Sequence, residues 1–307
     1  ERLGNSPVPM DHDDLRRAYE YTLGLRRIAA PRRFRGRPIG RYEKITRQEL
    51  PELQAEELQI LGKIDEICRK HRLRYFLSEG SMLGADYERL VDLALQGELP
   101  DGLNLDSFET NPKHWVLGAK IQTTEPSRFT QPQVAHVSMS PRPHIDIFSV
   151  DPVEKPFGWK FRLQAYLLRG LRRGLFMSSG RSRPGFRKNY LARIPIFLVT
   201  KLVPTRTLHK WIVDMQTKFN SEPDSRHWGN LCSYYKLDKQ VFPKEWFGEG
   251  RRVPFEGLSV PVPDRVEDML MSIYGPDYMQ VPVPGASHRK HDFYVQVLPA
   301  TPSGGDG

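Results

Sequence analysis

Two stretches of this chain carry side chains that could do chemistry. The first is Arg74-Tyr75-Phe76-Leu77-Ser78-Glu79-Gly80-Ser81-Met82-Leu83-Gly84. An apolar run, a cluster of small polar residues and a resumed apolar pattern predict a short buried strand, a tight turn and the start of a helix. Gly80 can take backbone angles that a Cβ forbids. Ser81, at a helix start, could offer its hydroxyl and its N–H to an anion, which the helix dipole favours there. Two readings are open at this point: an ordinary strand–helix connection, or a turn that grips a phosphate.

The second stretch is Pro143-His144-Ile145-Asp146-Ile147-Phe148. Strand periodicity puts His144, Asp146 and Phe148 on one face and Ile145 and Ile147 on the other. A carboxylate among apolar neighbours is costly unless something positive offsets its desolvation. Asp146 is therefore either a rim carboxylate in solvent or a salt bridge, or else a metal ligand or catalytic base near the Gly-Ser turn. His288-x-x-His291 has a spacing that could hold a metal but brings no third ligand near it.

Composition narrows the classes. The chain has 307 residues, enough for one large domain or a domain with an extension. Its apolar fraction of 38% and mean hydropathy of −0.55 describe a soluble protein, with no run near the ~18–20 apolar residues of a membrane span. Glu1–Ala30 is charged throughout and shows no signal-peptide pattern. The two cysteines, Cys68 and Cys232, make neither a disulfide framework nor a zinc spacing, and Cys68 lies on the apolar face of a predicted helix. A reduced thiol in the cytoplasm is the expectation. The net charge of +9 asks for an anionic partner. Its Arg/Lys clusters, at 26–41 and 160–188, lack the aromatic and glycine pattern of an RNA-binding sheet, which disfavours nucleic acid.

Several elements must position the two stretches. The pattern Leu53, Leu58, Leu61, Ile64, Ile67, Cys68 predicts an amphipathic helix over 52–72 that feeds directly into the first stretch. Tyr87 to Leu95 continues as a helix ending near Gly97, and Trp115–Ile121 reads as a strand. Residues 158–175 alternate aromatic and aliphatic side chains with Lys and Arg, either as a solvated surface helix or as one that meets an anionic membrane. The loop 178–187 is basic and 194–203 is apolar. Helices are expected at 208–219 and 263–275, and strands or extended segments at 228–235 and 252–262. Residues 11–30 read as a helix before the exposed connector 31–38. The division is an extension over 1–45, a domain over 46–298 and a disordered tail over 299–307. Helices alternating with a few strands and no internal repeat make a mixed α/β, or α+β, class.

In order, these pieces resemble the LicD family, the phosphocholine transferases of bacterial surface glycans and, more distantly, the fukutin-type proteins. The resemblance spans about 47–292. It is carried by Leu61–Cys68, Tyr75–Ala85, Asp86–Leu90, His144–Asp151, Gly229-Asn230, Pro254–Gly257 with Pro261-Val262-Pro263, and Ile273–Met279. It implies a nucleotidyltransferase-like fold, a small mixed sheet flanked by helices. Ser78, Glu79, Gly80, Ser81 and Gly84 would then form the turn that holds donor phosphates. Asp146 would be a catalytic carboxylate binding Mg²⁺ or Mn²⁺, with His144 and Glu256 as possible substrate contacts.

One departure stands out. The family carries an Asp-rich, metal-binding segment after the turn, whereas here Ala85 runs straight into Asp86-Tyr87-Glu88. Either the sequence omits a stretch, the favoured explanation, or the chain lacks it. The expected activity is transfer of phosphocholine or a related phosphorylated alcohol from a CDP-activated donor to a hydroxyl of a cell-surface glycan, such as lipopolysaccharide or teichoic acid, or its lipid-linked precursor. The enzyme would work in the cytoplasm or peripherally on the inner membrane face. The alternative is a non-catalytic relative that docks its basic face on membranes or polyanions.

Overall fold

The computed structural model describes residues 41–46, 48–78, 81–84, 86–111, 114, 118–131, 141–153, 158–178, 202–219, 225–231, 239–276, 278–279 and 293–297. In chain order these form β1 (Arg41–Lys44), α1 (Leu50–Lys70), β2 (Tyr75–Ser78), β3 (Ser81–Gly84), α2 (Tyr87–Leu95), β4 (Leu103–Asp106), β5 (Ala119–Thr123), β6 (Phe129–Thr130), β7 (His144–Ser149) and β8 (Asp151–Val153). There follow α3 (Trp159–Ser178), α4 (Thr205–Gln216), a 3₁₀ turn at Thr217–Phe219, β9 (His227–Gly229), β10 (Val241–Pro243), α5 (Lys244–Phe247), β11 (Arg251–Phe255), β12 (Leu258–Val262), α6 (Val266–Tyr274) and β13 (Tyr294–Val297). Helices alternating with small sheets make this an α+β architecture. The expected helix at 11–30, the loop at 178–187 beyond its first residue, the apolar run at 194–203 up to Lys201, Trp115–Leu117, Cys232, His288-x-x-His291 and the tail at 299–307 lie outside the described residues.

Helix α1 forms where the 3.6-residue pattern predicts, burying Leu53, Ile60, Leu61, Ile64, Ile67 and Cys68. Glu52 in its first turn and Arg69 and Lys70 in its last suit the helix dipole. It stops through a pair of reversed hydrogen bonds. Leu73 N–H donates to Cys68 O at 2.8 Å and Arg72 N–H to Arg69 O at 3.3 Å, while Arg72 sits in the left-handed region at φ 54°. That turn aims the chain into β2. Burial pushes the Cys68 thiol up to about 12, with Asp65 and Asp86 adding to the effect, so it is an inert core residue.

The central sheet has five strands in the order β2-β3-β7-β5-β4. β3 and β7 run parallel and every other pair is antiparallel. Its first face carries Tyr75, Leu77, Ile145, Ile147, Ala119, Ile121 and Leu105, which pack with α1 and α2 into the main core. On the second face, Phe148 and Phe108 meet Leu168 of α3 and Ile212 of α4, and Phe76 meets Phe247 and Met269.

The first stretch corrects one expectation. Strand, turn and helix start were expected, but Ser81–Gly84 folds back on Tyr75–Ser78 as a hairpin, with Ser78 opposite Ser81. The helix begins only at Tyr87. Strand pairing sets Met82 opposite Leu77 and Leu83 opposite Phe76. Ser81 therefore stands at the start of a strand and has no helix dipole behind it.

Arg252–Val262, expected as strand or extended, is a hairpin of β11 and β12. Its turn residues Glu256 and Gly257 have φ 46° and 82°, the left-handed pair a two-residue hairpin turn requires. The hairpin is tied to α1 by Asp65, which accepts hydrogen bonds from Arg252 at 2.8 and 2.9 Å and from the Tyr75 hydroxyl, and pairs with Arg69 at 3.0 Å. The last residues of the expected extension, Arg41–Lys44, pair with β13.

Candidate functional site

The second face of the central sheet carries a row of polar residues. Cross-strand partners share a face, so the register reads directly. Asp106 of β4 lies opposite Lys120 of β5, and Lys120 lies opposite Asp146 of β7. The parallel β3–β7 pair, with Met82 beside Ile147, brings Ser81 level with Asp146, and Ser78 follows opposite Ser81. Strands about 4.8 Å apart put Ser81 one strand from Asp146 and Asp106 two strands away on the other side. Ser78 and Ser81 are placed here by backbone register alone. The next row is Asn104, Gln122 and His144.

The period-2 pattern of Ala119-Lys120-Ile121-Gln122-Thr123 sends Ile121 into the core and Lys120 and Gln122 to this face. Gly118, just before β5, has φ 133°, and a Cβ there would lie 2.6 Å from the Ile147 carbonyl oxygen. Only glycine lets β5 approach β7 closely enough to keep this register.

Lys120 is 4% exposed, and its ammonium is held by two neighbours. Its Nζ lies 2.6 Å from His144 Nε2 and 3.7 Å from Asp146 Oδ1. His144 Nδ1 lies 2.8 Å from the Arg142 carbonyl oxygen, and a carbonyl only accepts. Nδ1 therefore carries the proton and Nε2 accepts from the ammonium, so His144 is the neutral tautomer. The trio is one cation, one anion and one neutral ring. This is the positive partner that the crowding around Asp146 required.

At the buried end of the row, Asp106 accepts from Asn111 Nδ2 at 3.2 Å and pairs with His114 Nδ1 at 3.1 Å. His209 of α4 stacks on Phe108 beside it, ring centroids 3.8 Å apart. Burial, the main cause, and the neighbouring His114 lower its pKa, while Glu109 works the other way. The Asp146 side chain is 15% exposed, against 7% for Asp106 and 6% for Lys120, so the row opens toward solvent at Asp146.

Of the expected site residues, the fold brings together Asp146, His144, Ser81 and Ser78. Gly84 ends β3 at the level of Ser149, one strand length from Ser81, and Glu79 and Gly80 lie outside the described residues. Glu256 is not brought to the site. Its neighbours Phe255 and Leu258 pack on the α1 side of the sheet, Leu258 against Gly62, whereas Asp146 is on the other face. Its place follows from the hairpin turn. Lys120, Asp106 and His114 were missed, although the alternation around Lys120 pointed to the same face as Asp146.

Among the described residues no group of three His, Cys, Asp or Glu could hold a metal ion. Asp146 offers one carboxylate with an ammonium beside it. That donor set does not fit a resident metal centre. It does meet the minimum protein share of a magnesium ion whose other ligands are substrate phosphates and water. A separate cleft of about 880 Å³ lies at the Arg74 end of β2, lined by Arg74, Arg226, His227, Lys244, Glu245 and Glu249 among others. It contains none of the expected residues, and its charges of both signs select no one ligand.

No family model matches this sequence, and no curated protein or solved structure matches it.

Proposed function

We propose that the protein is a phosphotransferase of the LicD type, moving phosphocholine or a related phosphorylated alcohol from a CDP-activated donor to a glycan hydroxyl. The observation that carries this reading is the register of β3 beside β7, which sets Ser81 level with Asp146 at the solvent-facing end of the polar row. Phosphoryl transfer asks little covalent chemistry of a protein, so positioning and charge neutralisation supply the rate.

Each residue has a part in this reading. The start of β3 receives the donor phosphates. Asp146 would be the protein ligand of a donor-borne Mg²⁺ or Mn²⁺, which would supply neutralisation of phosphate charge. Lys120 balances Asp146 in the resting protein and adds positive charge beneath the phosphates. His144, through Nε2, fixes where that ammonium sits and acts as a positioning residue. The nucleotidyltransferase-like fold is part of the same proposal.

A second reading, a non-catalytic module, is favoured by two specific observations. Asp146 already has an internal counter-charge in Lys120, and the chain joins Ala85 directly to Asp86. The discriminating experiment incubates the protein with Mg²⁺ and a panel of CDP-activated alcohols and follows CMP release and product mass. Turnover that is lost in Asp146→Asn supports the transferase. Absence of turnover with every donor, in a folded protein, leaves the module.

A further inference from the structure

Helix α3 has two apolar faces, and only one of them is used within the described structure. Phe161, Ala165, Leu168 and Leu175 are buried against Ile212 of α4 and Val153, Leu231 and Val241. Gln164 anchors the same side by donating to the Met215 carbonyl at 2.6 Å. At about 100° per residue, Trp159, Leu163, Tyr166 and Leu167 fall on the opposite side. Trp159 is 73% exposed, Tyr166 75%, Leu163 49% and Leu167 40%. Lys160 borders this strip on one side, and Arg162 and Arg169 border it on the other, all exposed. The helix has five basic residues and no Asp or Glu in its 20 residues.

We infer that this face of α3 docks on an anionic lipid surface. Four large apolar side chains in one exposed strip call for a partner, since a solvated helix face carries polar residues there. Trp and Tyr are the side chains that settle at the boundary between headgroups and acyl chains. A basic border around an apolar strip describes a helix lying in that plane. At 1.5 Å per residue α3 would lie about 30 Å along the surface, and among the described residues no helix is long and apolar enough to cross a membrane. Charge decides against a second copy as occupant. Two such faces pressed together would bring the six like charges of Lys160, Arg162 and Arg169 side by side, whereas anionic headgroups attract each one. Docking here would hold the protein where lipid-linked acceptors are, but it does not depend on the transferase reading.

The test is co-sedimentation of the full chain with phosphatidylcholine vesicles, with and without a third of the lipid as phosphatidylserine. The expected result is binding to the anionic vesicles that falls steeply with salt. Arg162→Gln with Arg169→Gln should weaken it about 25-fold, at about fivefold per charge. Trp159→Ser with Tyr166→Ser, both on exposed positions, should weaken it at least tenfold while leaving the unfolding midpoint unchanged. Asp146→Asn should bind vesicles like the parent, which separates this inference from the proposed chemistry. Three results would overturn it. One is equal binding to neutral vesicles or none to either kind. Another is binding indifferent to Trp159→Ser with Tyr166→Ser. The third is a concentration-dependent dimer that those substitutions abolish.

Discussion

Replacing Lys120 by Met tests the polar row where its electrostatics are most demanding. Lys120 is 4% exposed and its ammonium lies 3.7 Å from Asp146 Oδ1. At that distance and an effective dielectric of about 20, the attraction is about 4.5 kcal/mol. Taking Lys120 out of water offsets much of it, so the net worth of the pair is smaller. Its loss is a different matter, because Asp146 would lose the ammonium beside it, and His144 Nε2, 3.6 Å from Asp146 Oδ1, would lose its donor. Breaking one partner of a buried pair costs about 3–5 kcal/mol. The 15% exposure of Asp146 lets water relieve part of that, which puts Lys120→Met near 3 kcal/mol. Adding Asp146→Asn removes the stranded charge, so the double variant should be destabilised by only about 1–2 kcal/mol. Urea unfolding followed by far-ultraviolet circular dichroism measures all three variants. The reasoning fails if Lys120→Met costs under about 1 kcal/mol, or if adding Asp146→Asn lowers stability further.

Three other predictions follow from the frame around the site. Arg72→Gly should stabilise the protein by about 0.5–1 kcal/mol, because Arg72 holds φ 54° at the α1 terminus, where glycine carries no Cβ penalty; a lowered urea midpoint would contradict this. Asp65→Ala should cost about 3 kcal/mol by leaving the buried Tyr75 hydroxyl without its acceptor and Arg252 with Ser259 alone, and Asp65→Asn should cost visibly less. His209 has its folded pKa held below the ordinary 6.5 by burial, so the unfolded chain takes up the proton first. Stability should therefore be full above about pH 6.5 and fall as pH drops from there through the lowered folded value. His209→Leu should flatten that part of a thermal-melt profile against pH.

Periodic patterns made much of this fold legible, and pairing made the rest hard to see. Helix α1 was readable because six apolar residues recur at helical spacing, and α2 because Gly97 marks its end, where it has φ 82°. The two faces of β7 followed from alternation alone, with Ile145 and Ile147 in the core. The β2–β3 hairpin was misread because a glycine and a serine between apolar runs suit a helix start as well as a tight turn. Only the long-range partner β7, more than sixty residues on, selects the strand. The crowding of Asp146 called for a counter-charge and left a salt bridge and a metal ion both open, without naming the cation. Lys120 went unnoticed because a lysine in a strand usually faces solvent, and its place between Asp106 and Asp146 is set by strand pairing. Glu256 was chosen from a motif, and its conformation is explained by the turn.

The most direct test of the transferase account is CMP release from CDP-choline, or another CDP-alcohol, in the presence of Mg²⁺ by the parent protein and by Asp146→Asn. The account predicts turnover by the parent and a loss of at least about 100-fold in the variant, with both proteins folded. Full turnover by Asp146→Asn would contradict the role given to the polar row.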